Sequence, residues 1–144
     1  MFLRICSIIV AAAALLLAGC QSTPTASSTA SPAEARAYRQ QAARHLYALN
    51  ASRIYPGQLP PMLYAVGVLN VDIDSAGRVT RLHWQRAPSH APEVMAEIER
   101  TVRAAAPFPR PGTRSGRVTY TDVWLWDQSG RFQLDTLTEG QRGE

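Results

Sequence analysis

The side chains that could do chemistry here are few, and their spacing excludes most reactions. His83 and His90 are seven residues apart, and His45 has no second ligand three or four residues away, so no metal-ligand spacing is met. Asp72 and Asp74 close an alternating apolar run just before Gly77, where turn formation accounts for both. The only cysteines, Cys6 and Cys20, lie within the first twenty residues, and the chain has no glycine-rich phosphate loop. The chain therefore reads as non-enzymatic, with no metal, cofactor or small-molecule substrate. What remains is acylation of one thiol and recognition by aromatic and main-chain groups.

The thiol is Cys20. A short charged start, Met1 to Arg4, precedes an apolar run from Ile5 to Leu17 that is too short for a bilayer core needing about 20 helical residues. Residues 1–19 read as a cleaved signal. The string Leu17-Ala18-Gly19-Cys20 resembles the bacterial lipobox, which implies that Cys20 becomes the mature N-terminus and carries lipid on its thiol and amine. Several acyl chains on one residue anchor stably, since a single chain is marginal at about 0.8 kcal/mol per buried CH₂. Gln21 follows, without the Asp associated with inner-membrane retention, so the expected location is the periplasmic face of the outer membrane.

Gln21 to Ala30 is built from Ser, Thr, Ala, Pro and Gln, the composition of a disordered tether. Ten such residues reach about 33 to 36 Å when extended and about 17 Å on average. All 15 basic residues are Arg; without Arg4, 14 remain against 11 acidic groups, a formal +3. They are too scattered to indicate nucleic acid.

The remaining chain is long enough for one domain, expected over residues 31–140 with a disordered tail at 141–144. Ser31-Pro32-Ala33-Glu34 has the form of a capping box, and Tyr38, Ala42, Leu46 and Leu49 then recur at helical spacing. The prolines at positions 56, 60 and 61 make an extended connector. Leu69, Val71 and Ile73 alternate with polar residues, Asp74 to Gly77 turns, and a return strand runs from Arg78 to about Gln85. Val79, Leu82 and Trp84 break strict alternation, which predicts a bulge near Thr80 and Arg81. Val94, Ile98, Val102 and Ala105 mark a second helix, with Glu99 placed to pair Arg103 on its solvated side. The helix stops in Ala-Pro-Phe-Pro-Arg-Pro, ending at Pro111. A third strand, Gly116 to Asp127, and a short fourth, Arg131 to about Leu137, complete the order α-β-β-α-β-β. Tight turns between neighbours predict a small, mainly antiparallel sheet of three to four strands with two helices on one face, a two-layer α+β domain.

This pattern resembles the C-terminal domain of TonB- and TolA-type periplasmic energy transducers, closer to TonB. The matching features are a helix with Tyr38 and Leu46, Tyr55-Pro56, Gly67 opening the first strand, Asp74 and Gly77 at the hairpin, Val79, and the helix running into Ala106-Pro107-Phe108-Pro109. The resemblance implies a module that binds an extended segment of an envelope protein as an added strand, with contacts at Tyr55, Pro56 and the third strand around Tyr120 to Trp126. A lipobox and short tether replace that family's membrane helix and long spacer, which argues against energy transduction. The fourth strand is also placed to cap the edge the family uses.

Tyr120, Asp122, Trp124 and Trp126 share one face of the third strand, and Trp84 could join them. If that face is turned from the helices it is an aromatic partner patch, and Trp124→Ala weakens binding without unfolding; if the helices cover it, the same change unfolds the domain. The expected function is a lipid-anchored periplasmic adaptor for an envelope protein. The alternative is a structural lipoprotein that self-associates through its edge.

Overall fold

Ser31 and Glu34 cap each other at the head of α1 (Pro32–Leu49): the Glu34 amide donates to Ser31 Oγ at 3.2 Å, and the Ser31 amide donates to Glu34 Oε2 at 2.7 Å. The computed structural model that places them describes residues 30–143, so the signal, Cys20 and the tether lie outside the described residues. The elements that follow are β1 (Ala65–Ile73), β2 (Val79–Arg86), α2 (Pro92–Ala104), β3 (Val118–Trp126) and β4 (Phe132–Leu134). Single 3₁₀ turns at Ala51–Arg53 and Asp135–Leu137 follow α1 and β4. The strands form one antiparallel sheet in the order β2-β1-β3-β4.

Period-two burial decides which face the helices cover. Leu69, Val71 and Ile73 of β1 and Tyr120, Trp124 and Trp126 of β3 point into one core with Tyr38, Ala42 and Leu46 of α1 and Val94, Ile98 and Val102 of α2. The result is a two-layer α+β domain. Leu49, expected on the apolar stripe of α1, is 58% exposed, because α1 ends with it.

The irregular spacing in β2 resolves into two bulges. Ile73 pairs with Val79 and Asp72 with Arg81, leaving Thr80 as an extra residue; Leu69 pairs with Trp84 and Val68 with Arg86, leaving Gln85. Between them Arg81–Trp84 is regular.

The proline exit of α2 is gripped at three points. The His45 Nε2–H donates to the Ala105 carbonyl at 2.7 Å, the Phe108 amide donates to the Gly77 carbonyl at 2.8 Å, and the Tyr38 hydroxyl donates to the Pro109 carbonyl at 2.7 Å. His45 thereby satisfies one of the carbonyls a helix end leaves unpaired. Phe108 is buried with its ring 5.1 Å from His45 and 6.4 Å from Tyr120. Gly77 is required twice over: its φ is 81°, and a Cβ there would overlap the Phe108 carbonyl oxygen.

Two local expectations change. Among the described residues Glu99 makes no ion pair with Arg103; its Oε1 accepts the Trp84 indole N–H at 2.8 Å, drawn over by an indole that lies across Gly67. The other concerns the start of the expected tail at 141–144, where Gln141 and Arg142 are held by hydrogen bonds. Leu59 donates to Gly140 at 2.8 Å, Arg142 donates to Leu59 at 2.9 Å, and Gln141 Nε2 donates to the Pro60 carbonyl at 3.1 Å. These bonds fasten residues 140–142 to the proline connector and leave Leu59 fully buried outside the main core.

Replacing Gly77 with Ala combines a left-handed backbone penalty of about 1 to 2 kcal/mol with overpacking of about 1 to 3 kcal/mol. Gly77→Ala is expected to lose at least about 2 kcal/mol in chemical denaturation. Gly112→Ala, in open space without a positive φ, should change stability by less than about 0.5 kcal/mol.

Candidate functional site: strand edges around a buried aspartate

Tyr120, Asp122, Trp124 and Trp126 do share a face, and it is the one the helices cover. None of the four is more than 5% exposed. Phe132 of β4 packs on both indoles, with centroids 4.9 Å from Trp124 and 5.4 Å from Trp126, and the Arg53 guanidinium sits 5.9 Å from the Trp126 ring. The exposed aromatic patch is therefore replaced by a packed core. Alternation says which residues share a face; only the distribution of apolar partners across the whole sheet says which face is inside. Opposite stand Asn70, Asp72, Thr119 and Thr121, joined by hydrogen bonds from Thr119 to Asp72 at 2.7 Å and from Thr121 to Asn70 at 2.8 Å. That face is the solvated one. Trp84 joins the covered face, half-buried.

Asp122 is the polar centre of the core. Its side chain is 0% exposed and accepts from the Tyr120 hydroxyl at 2.8 Å, the Val123 amide at 2.9 Å, the Thr136 amide at 3.1 Å and Arg39 Nη2 at 3.2 Å. Arg39 also reaches Asp135 at 3.4 Å. A buried carboxylate needs such company, since desolvation disfavours its charged form. Asp122 thus ties α1, β3 and the turn after β4 together, and it is not available to a partner.

The same carboxylate ends the β3–β4 ladder. β4 pairs with Trp124, Leu125 and Trp126 only, while the Val123 amide turns to Asp122. Outside β4, Ile54 forms a parallel bridge with Phe132, and the Tyr55 amide donates to the Phe132 carbonyl at 2.9 Å. Gln133, buried, donates to the Tyr55 and Gly57 carbonyls at 2.8 and 2.6 Å and accepts from Thr138 and Glu139. Tyr55 therefore spends its main chain closing this end of the sheet. Pro56 remains exposed beside it, and β4 covers the outer side of β3 only at Trp124–Trp126, leaving Val118–Val123 without a β4 partner.

β2 is different. It is the outer strand, paired among the described residues with β1 alone, and its residues are exposed or half-buried throughout. Edge strands present unpaired N–H and C=O groups on alternate residues, and β2 carries eight residues of such edge. Sequence reasoning identified the strand but not its place. No local signal reports strand order, although its five exposed polar residues, Thr80, Arg81, His83, Gln85 and Arg86, fit an outer position.

Burial raises the Tyr38, Tyr47 and Tyr120 hydroxyls above their ordinary value of 10.0, and for Tyr120 the Asp122 charge adds to it. Groups raised in the folded state contribute stability below pH 10 and lose it as pH climbs through their folded values. Because the chain has no Lys, this alkaline limb belongs to tyrosine. Stability is expected to fall steadily above about pH 10, and less steeply in Tyr38→Phe; a flat profile would refute the assignment. Trp124→Ala should cost about 3 to 5 kcal/mol, and Asp122→Ala, which strands a hydroxyl and two amides, about 3 kcal/mol or more. Both are read by denaturant melts.

Compared with family models, with curated proteins and with solved structures, the chain matches none.

Proposed function

We propose that this chain is a non-catalytic adaptor, held by lipid on Cys20 at the periplasmic face of the outer membrane, that binds an extended segment of another envelope protein as an added strand. The observation that carries the reading is the edge of β2, unpaired among the described residues, in a sheet whose other edge is covered by β4 and Tyr55 at Trp124–Trp126. An added strand gains main-chain hydrogen bonds, each worth about 0.5 to 1.5 kcal/mol net, without any rearrangement of the core. The lipobox-like string and the short tether support the location, since they keep the domain within reach of the membrane. The pairing site moves from Tyr55, Pro56 and β3 to β2, because Tyr55 and β4 occupy the far edge at Trp124–Trp126, Pro56 has no N–H to donate, and the Val123 amide of β3 is taken by Asp122.

Self-association through the same edge is the less favoured reading. The stretch Val79–Arg86 holds Arg81 and Arg86 and no acidic residue, so two copies would bring like charges together.

A photo-crosslinking amino acid placed singly at Arg81, His83, Gln85 and Thr121 in intact cells tests the site. Crosslinks to an envelope protein from the three β2 positions, with none from Thr121 at the centre of the open face, are expected. Equal crosslinking from Thr121 would move the site to the face, and a product of twice the chain's mass would indicate a second copy. Mass spectrometry of the mature N-terminus checks the anchor separately: an unmodified Cys20 would overturn it.

A further inference from the structure

The two faces of β2 carry different chemistry. On the face turned from the helices stand Arg81, His83 and, past the Gln85 bulge, Arg86, all exposed and in register with Asp72, Asn70 and Val68 of β1. Among the described residues no ion pair holds Arg81 or Arg86. Toward the helices stand Val79, Leu82 and Trp84, each packed against the core yet only partly buried. Trp84 is fixed as a wall: its indole N–H donates to Glu99 of α2 at 2.8 Å, and its ring fills the space over Gly67, where a Cβ would lie 2.7 Å from it. The edge is thus an apolar shelf on one side and a basic row on the other.

We propose that the ligand of this edge is an extended protein segment of alternating acidic and apolar residues, laid as a fifth strand along Arg81–Trp84. The inference rests on the adaptor reading and specifies the chemistry of its partner. A strand added about 4.8 Å from β2 turns successive side chains to opposite faces, so every second residue meets one chemistry. Its apolar residues fall beside Leu82 and Trp84. Its carboxylates fall beside Arg81, His83 and Arg86. The reverse placement is excluded by Glu99, whose carboxylate at Trp84 repels an acidic residue on the helix side. The bulges at Thr80 and Gln85 limit regular pairing to four residues of β2, so the recognised core of the segment is short. Charge disfavours a second copy of β2, whose charged side chains are all basic.

The test uses the chain from Gln21 onward, which contains every described element, and three six-residue probe peptides: alternating Glu and Val, alternating Lys and Val, and three Glu followed by three Val. In amide NMR spectra the alternating Glu-Val peptide is expected to shift Arg81–Trp84. Its affinity should fall about tenfold or more on raising the salt from about 50 to about 300 mM, and by a similar factor in Arg81→Glu. Equal binding of the block or Lys-Val peptide, or shifts centred on Thr119 and Thr121, would overturn the proposal. If no peptide perturbs β2 while crosslinks from Arg81 and His83 persist in cells, the ligand chemistry is wrong and the edge reading stands. If the crosslinks are absent as well, both fall.

Discussion

A carboxylate with no exposure to water sets the terms for this domain. Asp122 needs donors from every side, and those it has come from three different parts of the chain: Arg39 on α1, Tyr120 and Val123 on β3, and Thr136 after β4. Satisfying it fixes the first helix over the third strand and brings the C-terminal turn back against both. A buried ion pair of this kind is seldom a net gain over an apolar core of the same shape, and here the Arg39 Nε and the Thr136 hydroxyl are buried without partners among the described residues. Its consequence is positional. By taking the Val123 amide, Asp122 stops the ladder between β3 and β4 after three pairs.

The second constraint lies at the other end of the sheet, where the exit of α2 meets the first hairpin. Asp74 builds that hairpin by accepting from Ala76 and Arg78 amides at 2.9 Å each, and the backbone hydrogen bond from Arg78 is the main cause holding its carboxyl below the usual range. The turn then presents the Gly77 carbonyl to Phe108. Since Phe108 leads to Pro109, which Tyr38 holds, the hairpin, α1 and α2 are locked at one place. β2 starts two residues after Gly77. The α2 exit therefore anchors one end of the edge strand, and the Glu99–Trp84 hydrogen bond anchors its far end.

How much of this was legible follows from the range over which each signal acts. The capping box at Ser31, the Asp-to-Gly turns and the bulge at Thr80 depend on residues within four positions of one another, and all three stand where the sequence puts them. The stripe Tyr38, Ala42, Leu46 and the stripe Val94, Ile98, Val102 required only a helical period. The face of β3 was not legible, because alternation is symmetric and Tyr, Asp and Trp are compatible with either side. Asp122 can stand inside because of four donors that come from as far as Arg39, 83 residues away, and no local pattern announces them. The edge available for pairing was missed for the same reason. It depends on where Ile54, Tyr55 and Gly140 to Arg142 lie in space, and their pairing with Phe132 and Leu59 spans about eighty residues.

An open strand edge is a hazard in any protein, and β2 carries the usual protections: two bulges, two arginines and no long flat apolar run. Those devices act unequally on different partners. Bulges shorten the template to four regular residues, which handicaps the long, uniform pairing of aggregates far more than the docking of a short segment. Arginine repels a second β2 but attracts a strand with carboxylates, so the group that prevents self-pairing also selects what can pair. Trp84 and Leu82 add an apolar shelf only on the helix side, where α2 already shields them in part, and a wrong strand gains little from them unless its charges also match. In the proposed binding mode, protection and recognition are the same set of side chains read by two kinds of partner, which is why an edge this exposed can remain open in a small domain.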